Sequence, residues 1–151
     1  MQQSAGNGDG AVGCRISRLR MASQRDAVSR TVDRILELIR DVGLNQERCH
    51  DLTVALSEAL SNAAVHGNRL RAGCHVMIRV VAHPGQRAVV VIRDSGAGFD
   101  PHSLHDPTEP DTLLEPTGRG VFLMKKLVDR LDYNGRGNQV RLVVESQAEP
   151  G

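Results

Sequence analysis

At 151 residues the chain is long enough for one compact domain, which would bury about 68–70% of its unfolded surface, and short for two. Its 40% apolar and 25% charged content is ordinary for a globular protein, and its longest unbroken apolar run, Ala88 to Ile92, is far too short to span a bilayer. Nineteen basic against eighteen acidic residues, with no Trp, one Tyr and two Phe, leave neither the charge footprint nor the stacking surface of a nucleic-acid binder.

Met1 to Gly13 is polar and Gly-rich and lacks the basic start and apolar stretch of a secretory signal. It reads as a flexible leader (1–13) on a cytoplasmic protein, with the folded domain expected over 14–146 and a tail at 147–151. Cys14, Cys49 and Cys74 are far apart, odd in number and form no C-x-x-C pair, so they fit neither a disulfide framework nor a zinc site. They are expected to be small buried hydrophobes in a reducing compartment.

Cys14 to Arg20 has the weak alternation of a short strand. Ser23, with Asp26 three residues on, reads as the N-cap of a capping box. Val28, Val32, Ile35, Ile39 and Val42 then recur at helical steps up to Gly43. A second helix is expected from Asn45 to His66, with Leu52, Leu56, Ala59, Leu60 and Ala63 on its buried face and Gly67 as its stop. His75 to Ala82 and Ala88 to Asp94 are rich in β-branched residues and flank a His83-Pro84-Gly85-Gln86 turn, which predicts an antiparallel hairpin. Ser95 to Pro116 shows no periodicity and reads as a functional loop or lid. Val121 to Leu131 is helical in period, and a last strand is expected over Val140 to Glu145, after the turn Gly135 to Asn138. The order β-α-α-β-β-loop-α-β predicts an α+β fold, a two-layer sandwich with helices on one face of a mixed sheet.

Three constellations can carry chemistry. Glu58 and Asn62 lie one helical turn apart at the edge of the apolar stripe, where a carboxylate can take a proton and an amide oxygen can serve Mg²⁺. His66 is one turn further along the same row. Alone, an E-x-x-x-N pair is more often a solvated helix edge, and a lone His at a helix end is more often there for the dipole. Asp94, Gly96 and Gly98 follow the most hydrophobic strand, where a carboxylate is held by the sheet yet open to a ligand; a plain turn explains D-S-G as readily. Gly118, Arg119 and Gly120 precede a helix, so backbone N–H groups and a planar cation can meet an anion; the alternative is a flexible capping loop. Pro101 and Leu123 break both possible G-x-G-x-x-G fingerprints, and no P-loop motif occurs.

Together and in this order the three boxes resemble the GHKL ATPase superfamily. SEALSNAAVHGN (Ser57 to Asn68), DSGAGFDP (Asp94 to Pro101) and GRGVFLMKKLVD (Gly118 to Asp129) look like the anti-sigma-factor serine/threonine kinases of bacteria, over about Ile16 to Val144. The resemblance implies a Bergerat-type fold, a mostly antiparallel sheet of four or five strands backed by three helices, binding Mg-ATP in a cleft under the lid. It implies Glu58 as the base toward the attacking hydroxyl, Asn62 as the Mg²⁺ ligand and Asp94 as acceptor from the adenine amine. Gly96 and Gly98 would flank the base, and Gly118 to Gly120 would cradle phosphates. Many relatives carry a Thr in the last strand near the adenine; here Asn138 and Gln139 precede Val140.

The implied activity is a protein serine/threonine kinase that holds a sigma factor and phosphorylates a STAS-type antagonist, acting as a homodimer, with no membrane and no direct nucleic-acid contact. An ATP-binding partner switch without kinase activity is the alternative, and Glu58 favours the kinase. The motifs take up nearly the whole chain, which disfavours a sensor histidine kinase fragment.

Overall fold

The computed structural model describes residues 13–96 and 116–147, without the side chains of 116–119. In the strand Arg15–Ala22 (β1) only Met21 is fully buried, as befits an edge. In His75–His83 (β2), Val76, Ile78, Val80 and Ala82 are buried in alternation, the period of a sheet with one covered face. Arg87–Arg93 (β3) is buried from Ala88 to Ile92 and sits at the centre. Arg130–Tyr133 (β4) and Gln139–Glu145 (β5) complete five strands in the order β1-β2-β3-β5-β4.

Three helices cover one face: Val28–Leu38 (α1), Gln46–Ser61 (α2) and Pro116–Leu127 (α3). Leu52, Leu56 and Leu60 of α2 are fully buried in one cluster with Ile35, Met124, Val90, Ile92 and Leu142. With so few aromatics, this aliphatic layer is the main apolar driving force for folding. Leu56→Ala should therefore cost about 2–5 kcal/mol of stability in denaturant unfolding, the usual range for emptying such a site. A second, smaller cluster of Val89, Val91 and Val143 with Val81 lies on the sheet face away from the helices.

The α+β sandwich matches expectation, and several details do not. Every described strand pair is antiparallel, so the sheet is not mixed. The helical period of VFLMKKLVDRL does not run to Leu131: α3 ends at Leu127, and Arg130 opens β4, a strand the sequence reading missed. Asp129 makes the break, since its carboxylate accepts from Glu145 N at 2.7 Å and from Arg48 at 2.5 Å while its N–H bonds Val143 O. The β4–β5 hairpin that results accounts for the antiparallel edge.

Ser23 is not an N-cap. A 3-10 turn, Arg25–Ala27, precedes α1, its cap Gln24 makes no side-chain bond, and the Ser23 hydroxyl donates instead to Cys74 O at 2.7 Å. Cys14 is exposed, and Cys49 and Cys74 are partly exposed, so none is a buried core residue. The first helix, expected to run to Gly43, stops at Leu38; a 3-10 turn, Arg40–Val42, follows, and Gly43, with a left-handed φ of 87°, closes that turn. Residues 1–12, most of the expected lid (97–115) and residues 148–151 lie outside the described residues. Among the described residues no helix is long and apolar enough to cross a membrane.

Candidate functional site

Asn45 caps α2 by accepting from Arg48 N at 2.8 Å, and the helix stays regular through Ser61. It then widens into a π-helical turn over Asn62–Gly67. Such turns are rare and concentrate at functional sites. The chain leaves it through Asn68, and Arg69 and Leu70 both have positive φ, 53° and 54°. Left-handed backbone is uncommon outside glycine, so the exit is locally strained.

A cleft of about 350 Å³ opens beside this turn. Asn62, His66 and Gly67 form its wall, Asp94, Ser95 and Gly96 its floor beyond β3, and Tyr133 with Asn138 the far side. That volume and mixed lining suit a small-molecule ligand. Arg69 and Arg71 also line it and bring positive charge.

The floor is built by close approach. Asp94 Oδ1 accepts from Gly96 N at 2.7 Å, and Asp94 N donates to Asn138 O at 3.0 Å. A Cβ on Gly67 would fall on the Asp94 carboxylate, 2.6 Å from Oδ1. A Cβ on Gly96 would collide with the carbonyl oxygen of Gly67. Both glycines are therefore required where the helix end meets the strand end. Partial burial raises the Asp94 carboxyl above its ordinary value, against the opposing effect of the Gly96 N–H. Burial likewise pushes the Tyr133 hydroxyl up, and the nearby Asp94 charge adds to it.

On the α3 side of α2, a Cβ on Gly120 would lie 3.1 Å from both Asn62 Nδ2 and Glu58 Oε2. The glycine thus lets α3 close over these two side chains. Asn62 Nδ2 is buried without a hydrogen-bond partner among the described residues. Buried amides are normally satisfied, so an orphan at a cleft wall is a position a ligand can complete. The two ends of an Asn amide differ only by a half-turn, so Oδ1 can take that place toward a hard cation. No cluster of three or more His, Cys, Asp or Glu occurs among the described residues, so a cation here would share its ligands with a bound anion or water.

Of the residues singled out in the sequence, Asn62, His66, Asp94 and Gly96 line one cleft. Glu58 and Gly120 stand next to Asn62 behind it. His66 is exposed at the rim. Gly98 lies outside the described residues. Gly118 and Arg119 fall inside α3, not before it, because the helix opens at Pro116. A Pro at the first position suits a helix start, and the unpaired N–H groups inside the helix then belong to Thr117 and Gly118.

Gly67, Asn68 and Tyr133 were missed. Gly67 reads in sequence as a helix stop, and Tyr133 lies in the strand that was not expected. The H-G-N that closes the second helix is the one available signal for the first two.

A family model described as the histidine kinase-like ATPase domain matches residues 21–144. The chain is 27% identical over 106 residues to the anti-sigma F factor of Clostridium beijerinckii, covering 67% of this chain and 72% of that protein. Against the anti-sigma F factor of Priestia megaterium it is 27% identical over 113 residues, covering 72% and 74%. Against the serine-protein kinase RsbW of Oceanobacillus iheyensis it is 29% identical over 101 residues, 63% of each chain. In three dimensions it resembles the crystal structure of the RsbU and RsbW domains of a Mycobacterium tuberculosis protein. That likeness, with a TM-score of 0.57 at 13% identity, is one of fold; it covers 87% of this chain and about a third (32%) of that one.

Proposed function

The chain belongs to the histidine kinase-like ATPase domain family, which implies an ATP site, and on that premise we propose that it is a Mg²⁺- and ATP-dependent protein serine/threonine kinase. In this reading it is a cytoplasmic anti-sigma factor that holds a sigma factor and phosphorylates a STAS-type antagonist. The names of its relatives, anti-sigma F factor and serine-protein kinase, support the two halves of the proposal. Self-association as a homodimer belongs to the same reading.

The observation that carries the kinase reading is the pairing of Glu58 with the orphaned Asn62 amide against Gly120. In the proposed reaction the γ-phosphoryl group passes from ATP to a serine or threonine oxygen, ADP leaves, and Glu58 takes the hydroxyl proton. Asn62 would hold the Mg²⁺ ion, whose contribution is to neutralise phosphate charge. Asp94 would accept from the adenine amine, and the N–H groups at the start of α3 would meet phosphate oxygens.

Asp94→Ala should weaken ATP and ADP alike by roughly 10- to 150-fold in calorimetry, the equivalent of one charge-assisted hydrogen bond of about 1.5–3 kcal/mol. With Asp94 intact, affinity should fall as the pH drops through its raised titration, because the protonated acid loses the charge that strengthens the bond. Unchanged affinity in the variant would remove Asp94 from the adenine site. The activity itself is tested with labelled ATP and purified STAS-type proteins. A phosphoserine or phosphothreonine product is expected; ATP binding with no product would favour the partner switch without kinase activity.

A further inference from the structure

Ser23 and Asn68 are among the very few polar residues buried in the described chain, at 4% and 3% exposure. Asn68 Oδ1 accepts from Ser95 N at 2.7 Å, Asn68 Nδ2 donates to Ser23 Oγ at 2.9 Å, and Ser23 Oγ donates to Cys74 O at 2.7 Å. The direction of each bond is forced. A backbone N–H can only donate, so Asn68 must turn its oxygen to Ser95. Its amide nitrogen then faces Ser23, whose one proton is left for the Cys74 carbonyl. The backbone of Asn68 is fixed as well, with its N–H on Ala63 O and its carbonyl taking Arg71 N.

We infer that Asn68, supported by Ser23, is a positioning residue for the nucleotide site: it locks the Asp94–Gly96 floor to the end of α2. The inference rests on the ATP reading above. Ser95 directly follows Asp94, so the Asn68 bond fixes where the chain goes after β3. It also holds the Gly67 carbonyl in the space that a Cβ on Gly96 would fill. An apolar pair could fill the same volume, but the Ser95 N–H would then be left unpaired at the cleft. A fully satisfied buried relay of this kind fixes one geometry where apolar packing would tolerate several.

The relay reaches only the adenine end of the cleft, so its loss should move KM and leave kcat alone. In Asn68→Ala the KM for ATP and the dissociation constants of ATP and ADP should rise together by about 5- to 10-fold, with kcat within about twofold. Ser23→Ala should act in the same direction and less strongly, because Asn68 keeps its bond to Ser95. In the ligand-free protein, the Ser95 amide should exchange with solvent much faster in Asn68→Ala, while β3 amides such as Val90 keep their protection. Val32→Ala, a core change on α1, serves as a control of comparable or greater stability loss and should leave KM and Ser95 exchange unchanged.

A KM effect in Asn68→Ala no larger than in Val32→Ala would overturn the assignment, as would undiminished protection of Ser95. If the unaltered protein takes up no ATP, the ATP reading fails on its own. Ser95 exchange then decides the relay: faster exchange in Asn68→Ala upholds the lock on the floor, and unchanged exchange removes it.

Discussion

Glu58→Ala should bind Mg-ATP at close to the parent affinity and transfer phosphate slower by a factor of about 10²–10⁴, the usual cost of deleting a general base. Glu58 is not among the residues lining the cleft, but its carboxylate lies beside Asn62 against Gly120, behind the cleft wall. A group so placed can meet an incoming hydroxyl without carrying much of the nucleotide's binding energy. Asn62→Ala should behave differently: it removes the amide proposed for Mg²⁺, so transfer and Mg²⁺-dependent affinity should fall together. A solvated helix edge predicts two similar, mild variants. Single-turnover phosphorylation alongside calorimetry separates the cases, and transfer by Glu58→Ala at the parent rate would return Glu58 to a structural role.

The sequence carried the sheet centre and the helix faces because their burial follows a single period. Val76, Ile78, Val80 and Ala82 alternate, and Leu52, Leu56, Ala59, Leu60 and Ala63 keep one helical stripe, all of them buried. That same stripe hid the π-helical turn at Asn62–Gly67, since apolar spacing at Ala63 and Ala64 fits either winding. β4 was illegible for a related reason: Leu131 continues the apolar spacing of Met124, Leu127 and Val128, and four residues at a sheet edge carry no pattern of their own. Ser23 misled because S-x-x-D is what a capping box looks like, while its actual partners lie 45 and 51 positions away. The candidate site divides the same way. Glu58, Asn62, Asp94 and Gly96 stand out because they fall in short local motifs whose order along the chain carries the resemblance. Gly67 and Asn68 act through contacts between elements, which no local window contains.

Gly67→Ala is the sharpest test of that close approach. No positive φ is recorded at Gly67, and in a helical segment alanine is normally preferred to glycine by about 0.8–1 kcal/mol. Backbone strain therefore gives no reason for the variant to unfold. The new Cβ would instead occupy the space of the Asp94 carboxylate, which must swing away and give up the Gly96 N–H. A displaced carboxylate cannot accept from the adenine amine, so ATP and ADP affinity should fall about 10- to 150-fold, matching the loss in Asp94→Ala. Because both changes remove the same contact, the double variant should be hardly weaker than either single one. Gly135→Ala is the control: a Cβ there meets nothing within 4 Å, so binding should not change. Parent affinity in Gly67→Ala would show that the Asp94 carboxylate is free to move without loss, and that the nucleotide is held elsewhere in the cleft.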